Sequence, residues 1–351
     1  MILTDEMLAL AFKYRAAELW SVLSDSDIFA FRLSDGETGY CCVMGFAGEH
    51  AALGFYRGEK GFSSYLKTLQ MGSDELSHQE LMEAATCLDY TNCDFMQAAD
   101  MDENVKRRVR LYAKENGLKI PRKNWWPDFV CYRTGKLPHA IEMESDARDI
   151  KEALEAALAV AAQLQVCDPI ELGFDEKGNY PTRKGGKEVP YLIPDGRGAY
   201  EWSRTRLPAI QKDSYLSPLF PSDLAVSALK KLPAGGNLMV RFLFSPMPVK
   251  DEADEIPYLP GLLLCVDEAT EFVFPVVSPS CFVDHPEPLL LSLADAFTTQ
   301  GVRPSAIWVA DDRTAALLKD FCKRCGIPLQ KKSSLPLLDE AYEFLLASMM
   351  S

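Results

Sequence analysis

The sequence offers little of what most readily announces a function. No apolar run approaches the roughly 18 residues needed to cross a bilayer, so a membrane-spanning segment is not expected. The first residues, Met1-Ile-Leu-Thr-Asp-Glu-Met7, carry acids where a signal peptide needs bases, and the chain is expected to be cytoplasmic. Histidine is scarce: there are four, at 50, 78, 139 and 285, each in a separate segment, which leaves little material for a metal cluster or a Ser-His-Asp arrangement. His50, after Gly48, could act as an acid or base, but a hydrogen-bonded histidine is the plainer reading. Internal repeats and low-complexity tracts are absent. Positive charge is also short, with 37 basic against 51 acidic residues and a net charge of −14. A surface of that sign repels a phosphate backbone, so nucleic acid is a disfavoured partner.

Cysteines are plentiful. All ten (41, 42, 87, 93, 131, 167, 265, 281, 322 and 325) are scattered through a long chain, and reduced thiols are expected rather than a disulfide framework. Cys322-Lys-Arg-Cys325 has the spacing of a redox or zinc motif. It lacks a second pair for zinc, and it falls at the end of a helix, whereas a low thiol pKa needs the start. No metal or other cofactor is expected.

At 351 residues the chain exceeds the usual single core, and its pattern divides into a domain over 1–166, a connecting meander with a lead-in helix over 167–232, and a domain over 233–351. The charge is divided likewise: 18 basic against 26 acidic residues in 1–165, 10 against 9 in 166–232, and 9 against 16 in 233–351. The fold class expected is α+β. In the first domain, aromatic and branched runs at 27–33, 40–45 and 51–56, separated by Asp-Gly and Gly turns, predict a three-strand antiparallel meander. Helices are expected at 4–23, 58–69, 74–85, 103–116 and 144–164, with short strands near 87–95 and 128–133. The helix at 144–164 is the clearest, because Ile150, Leu154, Ala157, Leu158, Ala161 and Leu164 form one apolar stripe.

The second domain reads as strands at 237–244, 259–266 and 271–278, a helix at 286–300, a strand at 306–310, a helix at 312–325, a strand at 327–330 and a helix at 336–349. That βββαβαβα order resembles ribonuclease H-like domains, whose nucleases hold two metal ions with several carboxylates, one of them in the middle of the first strand. Here that strand, Asn237-Leu-Met-Val-Arg-Phe-Leu-Phe244, contains no acid. The remaining candidates are Asp267, Asp311, Asp312 and Asp339. Asp312 has the structural alternative of capping the helix that follows. Asp267 would become a ligand if 262–266 were the first strand.

Between the domains, the stretch from Lys177 to Arg206 holds seven basic residues interleaved with Tyr180, Tyr191, Tyr200 and Trp202. Such a set could bind an acidic peptide or a single strand of nucleic acid, or simply tie the segment to acidic neighbours. The expectation is that Tyr191, Tyr200 and Trp202 pack into a groove between the domains, with Arg183, Arg204 and Arg206 facing acids, and that Tyr191, Tyr200, Trp202, Arg204 and Arg206 form the binding surface for a protein or small molecule.

Several stretches resemble a family of uncharacterised bacterial proteins that carry two successive domains of unknown function. They are Gly39-Tyr-Cys-Cys-Val-Met-Gly-Phe-Ala-Gly-Glu49, Leu53-Gly-Phe-Tyr-Arg-Gly-Glu-Lys-Gly61, Trp126-Pro-Asp-Phe-Val-Cys-Tyr-Arg-Thr-Gly-Lys-Leu-Pro138, Pro260-Gly-Leu-Leu-Leu-Cys-Val-Asp267 and Gly301-Val-Arg-Pro304. The resemblance covers most of the chain. It implies two domains and brings no catalytic residue, so a non-catalytic binding or interaction module is the expected role, with a divergent metal-dependent nuclease or phosphodiesterase as the alternative.

Overall fold

The computed structural model describes all residues except 49, 72–83, 85, 120–124, 176, 177, 179–185, 210–214, 246, 251–255, 350 and 351. Nearly all of the helix expected at 74–85, together with His78, Lys177, Tyr180, Arg183 and Lys184, lies outside the described residues. The chain forms two compact units, one comprising Met1–Arg133 and Pro138–Gln211, the other Thr134–Leu137 and Lys212–Ser351. Among the described residues, no helix is long and apolar enough to cross a membrane.

The first unit begins with helix α1 (Asp5–Ala17), whose first turn is closed by Thr4: its hydroxyl oxygen accepts from the Met7 amide. Strands β1 (Ile28–Arg32), β2 (Thr38–Met44) and β3 (Ala52–Arg57) form the antiparallel meander that the turns predict, and α2 (Gly58–Met71) follows directly. Next come β4 (Tyr90–Met96), α3 (Glu103–Glu115), β5 (Trp126–Tyr132), the two-residue β6 (His139–Ala140), α4 (Glu144–Gln163) and the one-turn α5 (Pro169–Leu172). Strands β7 (Glu188–Pro194) and β8 (Tyr200–Arg206) complete an eight-stranded sheet of order β6-β5-β4-β3-β2-β1-β7-β8, antiparallel except between β1 and β7. The stretch read from sequence as a connecting meander therefore supplies two strands to this sheet.

One face of the sheet packs on α1 and α4. Phe29, Phe31, Cys41, Leu53, Cys93 and Phe95 meet Met7, Leu8, Ile150 and Leu154 in a single buried cluster. Each buried large aliphatic side chain contributes about 1.5–3 kcal/mol, which is why the apolar stripe of α4 settles here. The opposite face carries Tyr40, Cys42 and Tyr56 against Phe62 and Tyr65 of α2.

In the second unit, α6 (Asp223–Lys231) precedes β9 (Asn237–Phe244), β10 (Gly261–Asp267) and β11 (Val273–Val277), followed by α7 (Glu287–Gln300), β12 (Ala306–Val309), α8 (Asp312–Cys325), β13 (Leu329–Lys331) and α9 (Pro336–Met349). The sheet order is β11-β10-β9-β12-β13; the first three strands are antiparallel, while β12 runs parallel to both β9 and β13. Alternation along β9 divides the two layers. Leu238, Val240 and Phe242 join Leu290, Leu293, Leu318 and Phe321, whereas Met239 and Leu243 join Leu335, just before α9, and Leu338 and Tyr342 of α9. The register makes β9 the first strand of this unit and puts Asp267 at the far end of β10, opposite Leu238.

Candidate functional site

The four acids proposed for metal chemistry are each committed locally. Asp267 closes the β10–β11 turn: its Oδ1 accepts from the amides of Ala269 and Thr270 at 3.1 and 2.9 Å and from the Thr270 hydroxyl at 2.8 Å. Asp311, rather than Asp312, caps α8, with one oxygen accepting from the Thr314 amide at 2.6 Å and the other from the Thr314 hydroxyl at 2.9 Å. The cap lies one residue earlier than the sequence suggests because Asp311 keeps extended backbone angles while Asp312 is already helical. Asp312 pairs with Lys331 at 2.7 Å.

Asp339, on α9, pairs with Arg241. Arg241 occupies the middle of β9, only 8% exposed, where the metal-binding order would need a carboxylate. Thr314 has a further task. Strand β12 reaches only as far as Met239 along β9, and the amide of Phe242 beyond it donates to the Thr314 hydroxyl at 2.9 Å. Among the described residues, no three His, Cys, Asp or Glu side chains are grouped so as to hold a metal ion. Cys322 and Cys325 lie in the last turn of α8 as free, buried thiols, pushed by burial up to about 12 and about 11 respectively.

The basic and aromatic residues singled out from the sequence fall on the sheet of the first unit. Tyr200, Trp202, Arg204 and Arg206 alternate along β8 and share one face, the face on which Leu192 and Tyr200 adjoin the cluster built on α1 and α4. Tyr191 points to the opposite face, beside Tyr40 and Tyr65, so the five residues do not line one surface. Strand β8 is terminal in the sheet order, and no strand pairs its outer edge among the described residues. Trp202 is 37% exposed, Arg204 and Arg206 are exposed, and neither arginine has an ion pair among the described residues. The guanidinium of Arg204 lies over Gly173, about 3.3 Å from where a Cβ there would sit. Burial, then Glu155 and Glu152, pushes the Tyr200 hydroxyl up to about 12.

Two polar groupings in the first unit were not legible from the sequence. Cross-strand register sets Asp94 directly opposite Asp128, and His50 Nε2 lies 2.7 Å from Asp94 Oδ1, which also accepts from Asn92 Nδ2 at 2.8 Å. Burial, then the Asp94 charge, raises the Asp128 carboxyl, and the hydrogen bond to Asp94 raises His50. Near the start of α2, a cavity of about 290 Å3 is lined by Arg57, Lys60 and Arg133. Its cations are already matched: Arg57 pairs with Asp35, Glu37 and Asp149, Arg133 with Asp146 at 2.8 Å, and Lys60 with Asp89 at 3.6 Å. A Cβ on Gly58 would run into Glu37 Oε1, so the carboxylate already sits at the N-terminus of α2.

No curated protein and no solved structure matches the chain. Two family models do. The domain of unknown function DUF6930 covers residues 225–346, which span the second unit from α6 to α9, and the domain of unknown function DUF7309 covers 5–183, from α1 past α5. The two models follow each other along the chain as two successive domains, and because the DUF7309 model matches more than half of its residues, the chain belongs to the DUF7309 family.

Proposed function

We propose that the chain is a non-catalytic binding protein that recruits an acidic, extended protein segment to the outer edge of β8. The carrying observation is the row Tyr200, Trp202, Arg204 and Arg206 on a terminal strand, with exposed arginines free of ion pairs among the described residues. A strand added there gains main-chain hydrogen bonds, and alternate side chains of the segment meet the basic and aromatic row. In a chain whose net charge is −14, such a local basic strip is the favoured point of contact for an acidic partner.

Metal-dependent nuclease or phosphodiesterase chemistry is the competing function, with Asp267, Asp311, Asp312 and Asp339 as its acids. The ribonuclease H-like reading of the second unit is supported by its strand order, in which the first three strands run antiparallel and the fourth returns beside the first. Against the chemistry stand the Arg241–Asp339 ion pair at the centre of β9 and the separate duties of the other three acids.

The test is fluorescence anisotropy with a labelled glutamate-rich peptide and, in parallel, a labelled single-stranded oligonucleotide. Saturable peptide binding that falls at least tenfold in Arg204→Glu/Arg206→Glu is expected, since two reversed charges oppose the ligand. Preference for the oligonucleotide, or peptide binding indifferent to the double reversal, contradicts the proposal.

A further inference from the structure

A cavity of about 210 Å3 opens in the second unit beneath the β10–β11 turn, between the start of β9 and the C-terminal end of α7. Arg303 and Asp267 both line it, yet they do not pair with each other. The Nε of Arg303 is buried without a hydrogen-bond partner, although its backbone is fixed on both sides: its amide donates to Pro233 at 3.0 Å and its carbonyl accepts from Gly235 at 2.8 Å. Asp267 spends only Oδ1 on the turn. Its Oδ2 has no hydrogen bond among the described residues and lies over Gly236, 2.9 Å from where a Cβ would be. Gly235 is pinched similarly against Val302, at 2.7 Å, so both glycines keep this wall open where any side chain would close it.

A buried guanidinium donor without an acceptor is costly, and a carboxylate matches its fork better than any other common group. A lone anion would, however, also meet the Asp267 carboxylate. A lone cation would find Asp267 and the negative end of the α7 dipole but would face Arg303. A ligand carrying both charges meets neither objection. Apart from Thr270 and Gln300 the rest of the lining is apolar: Phe272 and Phe274 stack at 5.8 Å, and Phe272 is 60% exposed at the turn, where it can close over an apolar group. An engineered cavity of about 150 Å3 accepts benzene, so this volume admits one ring or branched chain with its charged end.

We propose that this cavity binds a free amino acid with an apolar side chain, its carboxylate on Arg303, its ammonium on Asp267 Oδ2, and its side chain against Phe272 and Phe274. The site is independent of the β8 edge and stands or falls separately from it.

Calorimetric titration of the full chain with L-phenylalanine and L-leucine tests it, with 3-phenylpropionate and phenethylamine as probes that each lack one charge. Saturable binding of at least one amino acid is expected, and each single-charge probe should bind at least tenfold more weakly. Arg303→Met and Asp267→Asn, which retain the side-chain stem and the turn hydrogen bonds respectively, should each weaken binding at least tenfold. Phe272→Ala, at a position 60% exposed, should weaken it severalfold while lowering the melting temperature of the free protein only slightly, through loss of the stack on Phe274. The proposal is overturned if neither amino acid binds, if 3-phenylpropionate binds as well as L-phenylalanine, or if Phe272→Ala and a folded Arg303→Met both bind like the parent.

Discussion

Asp128 works against the fold, first because it is buried and then because it stands across from Asp94. Like charges directly opposed on neighbouring strands destabilise a sheet, and burial adds to the penalty on the ionised form. Asp128 therefore binds its proton more tightly in the folded chain than in the unfolded one, and stability falls as pH rises from the unfolded carboxylate range through its raised folded value. His50 adds to the same slope. Its raised pKa means that its pairing with Asp94 stabilises below about pH 6.5 and is lost as pH rises through the folded value. Asp128→Asn is expected to raise stability near neutral pH by about 0.5 kcal/mol, and His50→Gln to flatten the slope on the alkaline side. Urea denaturation between pH 4 and 8 reads both; a destabilised Asp128→Asn at neutral pH would refute the opposition of the two carboxylates. None of this was visible in sequence, because the pairing depends on the register between strands that are 34 positions apart at this point. Arg303 was visible only as part of Gly301-Val-Arg-Pro304; the empty space around it is a property of the folded turn.

At the level of elements, turns and caps carried most of the prediction. The meander β1–β3, the helices α3 and α4, and every strand and helix from β9 to α9 lie within a few residues of their sequence-based bounds, because Asp-Gly turns, glycine C-caps and continuous apolar stripes mark them. Strands β7 and β8 escaped for a physical reason. Tyr200-Glu-Trp-Ser-Arg-Thr-Arg206 has no buried face of its own, and β7 contains two prolines and pairs with β1, which lies some 160 positions earlier. A terminal strand needs little apolar alternation, so the pattern that reveals central strands is missing. The cap of α8 offers a sharper check on the acids that follow β12. Asp311→Ala is expected to cost about 1 kcal/mol and Asp312→Ala, at an exposed ion pair, much less. Thr314→Val should cost about 1–3 kcal/mol, since it strands the buried amide of Phe242 as well. Chemical denaturation of the three variants separates these roles; equal losses for Asp311→Ala and Asp312→Ala would contradict the cap assignment.

For the whole molecule, the ten cysteines are free thiols, and Asp311, Asp312 and Asp339 are spent on a cap and two ion pairs rather than gathered at one point. All ten thiols should react with a thiol reagent in denaturant without prior reduction. In the native chain, Cys87 and Cys167, the two that are only partly buried, should react first. The succession of elements along the second unit was legible from the sequence, and so was the missing acid of β9, but what fills its place was not: the Arg241–Asp339 pair joins positions 98 residues apart. The most direct measurement of the central claim is a calorimetric Mn2+ titration of the full chain, combined with hydrolysis of a labelled oligonucleotide and of a simple phosphodiester. No stoichiometric Mn2+ binding and no metal-dependent cleavage are expected. Tight Mn2+ binding that Asp339→Asn abolishes, accompanied by cleavage, would show that these acids serve catalysis and would contradict the binding-protein account.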